Sequence, residues 1–181
     1  MMKPFIPFLL LMVGLGACTS QQEELKNDLL GQIRNSVLYN QLDSADSLLT
    51  AVDTLALDAR QLHHFKLSKA YYLFSTGENE QSHRLLKNAT DYYQRHGSAA
   101  EKAELALFWA FILEVQYLKT EAYEEYIKAY QYFSQKKNSR LYYLNLLGLA
   151  RTGVDQQEYL ALAEQYLKKN YHVRDQYLYH Y

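Results

Sequence analysis

Proline and glycine are scarce in this chain, and their scarcity limits how often the backbone can turn. The 181 residues contain two prolines, Pro4 and Pro7, and seven glycines. A β-sheet protein of this size would need many turns, which are usually built from glycine and proline. Leucine, alanine, glutamate, glutamine and lysine, which are good helix formers, are abundant instead. The sequence therefore predicts an all-α protein made of long helices.

The composition indicates a globular domain without a basic surface for nucleic acid. Hydrophobic residues make up 49% of the chain and charged residues 22%, which is typical of folded rather than disordered proteins. The formal net charge is −1 and no basic stripe follows the sequence, so nucleic acid is not expected as a partner. Cys18 is the single cysteine, which excludes an internal disulfide and a multi-cysteine metal site.

The first residues have the pattern of an export signal. Lys3 supplies a positive charge, residues 5–13 are apolar, and small residues follow up to Cys18. The apolar run 4–17 has 14 residues, which is short for about 30 Å of hydrocarbon. The run therefore predicts a signal peptide rather than a permanent membrane helix.

The stretch Leu15-Gly16-Ala17-Cys18 resembles the lipobox of bacterial lipoproteins. In that family the cysteine sulfur receives a diacylglycerol, the chain is cut before the cysteine, and the new amine is acylated. The resemblance implies a signal peptide at 1–17, lipidation of Cys18 and a flexible tether at 18–25, with no other cofactor. Two attached lipids make membrane attachment stable. Ordinary secretion with a free thiol at Cys18 is the alternative.

The residue after the cysteine bears on the location of the protein. Thr19, in place of aspartate, resembles lipoproteins that move on to the outer membrane. The resemblance implies a cell-envelope protein that is lipid-anchored in the outer membrane, at its periplasmic face or at the cell surface.

Segment 26–170 resembles an array of tetratricopeptide repeats, which are helix-turn-helix units of 34 residues. The unit 103–136 matches the family consensus without a gap, the unit 61–96 fits with an insertion, and the units 26–59 and 137–170 fit less well. In the best unit the characteristic large and small residues are Trp109, Ala110, Leu113, Ala122, Tyr126 and Ala129. Small residues are needed where two antiparallel helices approach closely.

The repeat resemblance implies a right-handed α-solenoid of seven or eight helices after the lipoprotein signal peptide. We expect Gly77 to mark a turn and Gly97 to end a helix. Ser98 and Glu101 would form a capping box at the start of the next helix. Segment 171–181 would be a C-terminal tail or a capping segment.

The repeat resemblance also implies a concave groove lined by the first helix of each unit. Tyrosine pairs such as Tyr92-Tyr93 and Tyr142-Tyr143 have two possible meanings: one member packs between repeats while the other covers the surface, or the pairs line a peptide-binding groove. The groove candidates for partner binding are Phe65, Lys69, Tyr72, Glu104, Leu107, Phe111, Glu114 and Asn145.

No catalytic pattern is present in the sequence. The chain has neither a glycine-rich phosphate loop nor a nucleophile elbow, and its six histidines lack the spacing of a metal-binding helix. We therefore expect no enzymatic activity, no metal and no small-molecule substrate. The expected function is that of an envelope lipoprotein whose helical repeats bind or scaffold a protein or peptide partner. The alternative is a truncated sensory repeat domain of a signalling or regulatory protein, with no activity of its own.

Overall fold

The computed structural model describes residues 6–137, 139–153 and 155–170, with side chains from residue 21 onward. Within these segments the chain forms eight α-helices, one short 3₁₀ helix at Thr54–Ala56, and no β-strand. The prediction of an all-α protein is confirmed. The helices are α1 (Ile6–Leu38), α2 (Leu42–Ala51), α3 (Ala59–Ser75), α4 (Asn79–His96), α5 (Ala99–Val115), α6 (Lys119–Phe133), α7 (Arg140–Thr152) and α8 (Gln156–Lys169).

Consecutive helices are joined by short connections and pack against one another, so that α3 to α8 run alternately up and down. The most extensive contact is between α5 and α6. The alternation places the starts of α3, α5 and α7 beside the ends of α4, α6 and α8. We call this side of the molecule the proximal edge. It also includes the loop 52–58, which leads into the start of α3. Helix α1 is bonded to this loop, since Lys26 Nζ donates a hydrogen bond of 2.7 Å to the carbonyl of Ala56.

Local sequence signals determine where the helices begin and end. Asp58 accepts a hydrogen bond from the Gln61 amide at 2.8 Å and caps α3. Ser98 and Glu101 form the predicted capping box at the start of α5. Gly97 is the C-cap of α4 as predicted, and Gly77 has a φ of +88° in the turn before α4, a conformation that glycine adopts without strain.

The helices of each pair meet at small side chains. Ala89, Ala110, Ala122 and Ala129 are all 0% exposed, and Ser82 donates a hydrogen bond of 2.7 Å to the carbonyl of Ala70. Three of these positions, Ala110, Ala122 and Ala129, are those at which the best-matching repeat unit required a small residue.

The pair Tyr92-Tyr93 has one buried and one outer member, as the first of the two interpretations predicts, whereas the pair Tyr142-Tyr143 does not. Tyr93 is 0% exposed while Tyr92 is only partly buried. Tyr142 and Tyr143, by contrast, are both buried, at 3% and 0% exposure. The prediction of one outer member is wrong here because two different helices cover the pair. Tyr142 stacks on Tyr130 of α6 at 6.2 Å between ring centroids, and Tyr143 stacks at 5.2 Å on the ring of a buried tyrosine in α8.

The predicted N-terminal boundaries fall within α1. The predicted tether 18–25 is helical in the structure, and Glu23 accepts a hydrogen bond of 2.8 Å from the Gln61 side chain. Residues 1–5 of the predicted signal peptide, the side chain of Cys18 and the predicted tail 171–181 lie outside the described residues and side chains. Among the helices of the described segments, none combines the length and the apolar character needed to cross a membrane.

Candidate functional site

The predicted groove residues on α3 lie against the N-terminal part of the molecule. Phe65 is 6% exposed and belongs to a core cluster with residues of α1 and α2. Tyr72 donates a hydrogen bond of 3.0 Å to the Asp46 carboxylate of α2. Lys69 is exposed, and its Nζ lies 5.8 Å from the centre of the Phe65 ring. Of these three side chains, Phe65 is buried, Tyr72 is partly exposed and Lys69 is exposed.

The apolar groove candidates on α5 are part of the core. Leu107 is 0% exposed and Phe111 is 7% exposed. The ring of Tyr71 stacks on Phe108 at 4.5 Å and on Phe111 at 5.5 Å, measured between ring centroids. The protein's own aromatic side chains therefore fill the space that an open inner groove would need at this level.

The polar groove candidates are paired with other residues of the chain. Glu104, 8% exposed, receives two hydrogen bonds from the Arg34 guanidinium of α1, at 2.7 and 2.8 Å. Asn145, 0% exposed, donates to the Tyr126 carbonyl at 2.9 Å.

Glu114 is engaged from two sides. It accepts a hydrogen bond of 2.6 Å from the Tyr126 hydroxyl and hydrogen bonds of 2.6 and 3.0 Å from Arg151. Glu104, Leu107, Phe111 and Glu114 thus share one face of α5, but that face is turned into the molecule. Partner binding by the predicted residues stays a prediction, and it would require these contacts to open.

Helix α1 covers this inner face obliquely, which the sequence did not indicate. Its residue Glu23 contacts the start of α3, Arg34 contacts α5, and the Leu38 carbonyl accepts a hydrogen bond of 3.3 Å from Arg140 at the start of α7. The guanidinium of Arg140 also lies 5.5 Å from the centre of the Tyr39 ring. Helix α1 therefore does not simply stack on α3; it contacts three other helices.

A polar cavity of about 700 Å³ lies between α1 and the starts of α3 and α5. Its central group is Glu101, whose Oε1 is 2.7 Å from His64 Nε2 and 3.1 Å from a guanidinium nitrogen of Arg60. The other oxygen accepts hydrogen bonds from the amide and hydroxyl of Ser98, both at 2.7 Å. Burial by itself raises the pKa of the Glu101 carboxyl. The hydrogen bonds outweigh burial and lower that pKa to about 2.

The charges of this cavity are already paired with one another. Glu101 faces Arg60 and His64, and Glu104 faces Arg34. The arrangement connects the starts of α3 and α5 with each other and with α1, so we assign the cavity a structural role.

A second cavity, of about 710 Å³, is an open groove on the opposite side of α5, between α4 and α6. We call it the outer groove. Its floor is formed by small residues of α5 together with Trp109, and its walls by polar residues of α4 and α6. The lining residues include Thr90, Gln94, Ala99, Lys102, Ala103, Ala106, Trp109, Leu113, Lys128, Gln131 and Tyr132.

The indole of Trp109 has a fixed position in the outer groove. Its Nε1 donates a hydrogen bond of 2.9 Å to the Thr90 hydroxyl, and the His83 ring meets it edge-on at 5.2 Å. Trp109 is partly buried, so that one part of its ring remains accessible. A pre-oriented aromatic side chain beside a floor of alanines can receive an apolar side chain at a small cost in conformational entropy.

Sequence reasoning missed the outer groove, although a signal for it was present. Ala99, Ala103 and Ala106 recur at helical spacing with Trp109 and so lie along one side of α5. The repeat pattern assigned Trp109 to packing between helices and left the alanine row without a role.

No group of three or more histidine, cysteine, aspartate or glutamate side chains suited to a metal ion occurs in the described segments. Comparisons with protein-family models, with curated proteins and with solved structures found no match to this chain. The function therefore has to be argued from the surfaces of the chain itself.

Proposed function

We propose that this chain is a lipid-anchored envelope lipoprotein that acts as an adaptor. Cys18 carries the lipid, and the helices form a right-handed solenoid of tetratricopeptide-like repeats that holds a protein partner at the outer membrane. The partner binds in the outer groove rather than on the inner face. The lipobox-like stretch Leu15–Cys18 supports the anchor.

The recurrence of the helix pairs supports a repeat architecture, with successive N-caps 40 and 41 residues apart rather than the 34 of the tetratricopeptide unit. The N-caps of α3, α5 and α7 are Asp58, Ser98 and Ser139, and each is followed by one long helix and its antiparallel partner. The buried small residues recur at equivalent places in the second helices, as Ser82 and Ala89 in α4 and Ala122 and Ala129 in α6. Regularly recurring helix pairs of this kind are typical of repeat arrays.

The observation that carries the binding proposal is the accessible part of Trp109 above the alanine floor. Tryptophan is enriched among the residues that dominate binding energy at protein interfaces. The floor of Ala99, Ala103 and Ala106 leaves room for a partner's apolar side chains. Lys102 and Lys128 are exposed at the rims, and Glu125, which also lines the groove, pairs with Lys128. Lys102 therefore supplies the positive charge of the rim, and the partner we propose is a peptide segment that combines apolar side chains with an acidic one.

The test places a photo-crosslinking amino acid at Gln131, an exposed position of the groove wall, and at Thr50, an exposed position on α2, as the control. Crosslinking is carried out in cells that express the anchored protein. We expect one envelope protein to be captured from position 131 and not from position 50.

Two variants decide whether such a capture reflects the groove. Lys102→Glu/Lys128→Glu reverses the rim charges at exposed positions, and Trp109→Ala removes the aromatic anchor. We expect either variant to reduce the capture about tenfold or more, as for the loss of a binding hot spot, while the helical circular dichroism is retained. Capture that persists in both variants would exclude the outer groove as the binding site. Capture that persists in Cys18→Ala would exclude a role for the lipid anchor.

A further inference from the structure

The proximal edge is attached to the N-terminal segment at one end. Glu23 bonds to Gln61 at the start of α3, and Lys26 bonds to Ala56 in the loop 52–58. Cys18 precedes Glu23 by five residues, which extend over at most about 18 Å. If Cys18 carries the lipid, this end of the edge cannot lie farther than about that distance from the membrane surface.

Apolar side chains are exposed at the same end of the edge. Leu55 is 95% exposed and Leu25 is 64% exposed, and they are the sequence neighbours of the bonded pair Ala56 and Lys26. An exposed leucine at a loop tip is unfavourable in water, and its transfer into a lipid headgroup region lowers the free energy.

The other end of the proximal edge carries a cluster of lysines, which we call the lysine cluster. Lys136, Lys137 and Lys169 line one recess of about 500 Å³ between the end of α6, the start of α7 and the end of α8, and Lys168 adjoins them. All four are exposed. Within the part of the chain that the structure describes, none of the four forms an ion pair, and no acidic residue lines the recess.

The acidic side chains of the proximal edge are, in contrast, mostly engaged. Glu23 pairs with Lys26, and Glu101 pairs with Arg60 and His64. Asp58 and Asp53 accept hydrogen bonds from backbone amides as N-caps. The uncompensated charge at this end of the edge is therefore that of the lysine cluster, and it is positive.

The two ends of the edge are far enough apart to define an orientation. Helix α1 contacts the start of α3 at Glu23 and the start of α7 through Leu38. At 1.5 Å per residue these two points lie about 22 Å apart. A tether at one end and a cationic contact at the other would hold the edge parallel to a surface instead of leaving the domain free to rotate.

We propose that the proximal edge docks on the surface of an anionic phospholipid membrane, through the lysine cluster at one end and Leu55 beside the tether at the other. This proposal depends on the lipid anchor of the proposed function for its geometry. The occupant is a lipid surface, because four exposed lysines without ion-pair partners in the described segments match the diffuse negative charge of such a leaflet. Lys136 Nζ also lies 5.3 Å from the centre of the Tyr132 ring. The opposite edge and the part of the outer groove around Trp109 then remain accessible to a protein partner.

The experiment uses the full-length protein, purified with its lipid and reconstituted into vesicles. In the lipidated protein the Cys18 sulfur is blocked, so an introduced cysteine is the one reactive thiol. An environment-sensitive fluorophore is attached at Gln135→Cys, beside the lysine cluster, or at Glu78→Cys, in the turn before α4 on the opposite edge. Quenching by a lipid-borne quencher reports how close each label lies to the bilayer.

We expect the label at position 135 to be quenched about threefold more strongly in vesicles with about 30% phosphatidylglycerol than in pure phosphatidylcholine. The difference should disappear in 1 M salt, where the Debye length falls to about 3 Å. The label at position 78 should be quenched weakly in both. Equal quenching at the two positions, or no dependence on anionic lipid, would overturn the proposal.

Two charge variants with the same change in net charge distinguish the lysine cluster from a general electrostatic effect. Lys136→Glu/Lys137→Glu reverses two residues of the cluster. Arg84→Glu/Lys119→Glu reverses two exposed cations away from the proximal edge. Only the first should abolish the dependence on phosphatidylglycerol at position 135; an equal loss in both variants would contradict a localised contact.

The mass of the purified protein separates failure of this inference from failure of the proposed function. If Cys18 carries no lipid, the anchor is wrong, and the docking surface is then tested by co-sedimentation of the full chain with the same vesicles. Stronger binding to anionic vesicles that is lost in Lys136→Glu/Lys137→Glu supports the surface without the anchor. Binding that depends neither on lipid charge nor on the substitutions in either variant overturns the docking proposal.

Discussion

The most constrained side chain of the C-terminal half is that of Tyr126. Its ring is 0% exposed, its hydroxyl donates to Glu114 of α5, and its carbonyl accepts from Asn145 of α7. Burial raises the pKa of its phenol, and the Glu114 carboxylate raises it further. Helix α7 can approach this ring because residue 148 is a glycine: a Cβ at that position would overlap the ring atoms of Tyr126.

This close approach predicts opposite effects for two glycine substitutions. Gly148→Ala should destabilise the protein by about 1–3 kcal/mol, since the added methyl must displace a buried ring. Gly31→Ala in α1, where a Cβ meets nothing within 4 Å, should be neutral or stabilising by about 0.5–1 kcal/mol, because alanine favours helix. Urea unfolding of both variants measures the difference, and a stable Gly148→Ala protein would show that α6 and α7 are not packed this closely.

At the scale of helices, sequence reasoning succeeded where the signal is local. The capping box of Ser98 and Glu101 and the turn at Gly77 depend on neighbouring residues, and the structure confirms them. The oblique course of α1 depends on Arg34 meeting Glu104, which is 70 residues away, and no local pattern encodes that pairing. The face of α5 that the repeat resemblance assigned to a groove is therefore covered, while the alanine row on the other side is open.

The pairing of Arg34 with Glu104 predicts a measurable coupling between α1 and α5. Glu104 is 8% exposed, so removing its partner leaves a carboxylate that is poorly solvated. Arg34→Met should destabilise the protein by about 2 kcal/mol, less than for a fully buried pair, because a third of the arginine side chain, 34%, remains exposed. Arg34→Met/Glu104→Gln should recover part of this loss, giving a coupling energy of about 1–2 kcal/mol.

A surface pair provides the matched control for this cycle. Lys128 and Glu125 lie three residues apart on α6, and the lysine side chain is 59% exposed. Their coupling, measured in the same way by urea unfolding, should stay below about 0.5 kcal/mol. Equal coupling in the two pairs would mean that α1 does not hold Glu104 in solution as it does in the structure.

At the scale of the whole molecule, the proximal edge combines two kinds of charged group. Carboxylates such as Glu101 are bonded inward and join the starts of helices, whereas the lysine cluster is exposed and has no ion-pair partner among the described residues. The inward-bonded carboxylates stabilise the fold, and the exposed lysines are available to bind a membrane surface. The two kinds should therefore respond differently to substitution: Lys136→Glu/Lys137→Glu should leave the free energy of unfolding within about 0.5 kcal/mol of the wild type.

The inward-bonded carboxylate of Glu101 predicts how the stability of the molecule depends on pH. The pKa of Glu101 is about 2 in the folded protein against an ordinary value of 4.5, so its contribution is fully present above pH 4.5 and is lost as the pH falls towards 2. Relative to wild type, Glu101→Gln should cost about 2 kcal/mol at pH 7, less than the full shift implies because Arg60 is largely exposed and its charge is screened.

The measurement is the difference in unfolding free energy between wild type and Glu101→Gln as a function of pH. That difference should be constant from pH 7 to about 5 and should shrink between about 4.5 and 2, as the wild-type carboxylate takes up its proton. A difference that stays constant down to pH 2 would mean that the carboxylate is not held by Ser98, His64 and Arg60. The starts of α3 and α5, on the edge proposed to face the membrane, would then be held together by packing and not by the ionic hydrogen bonds of Glu101.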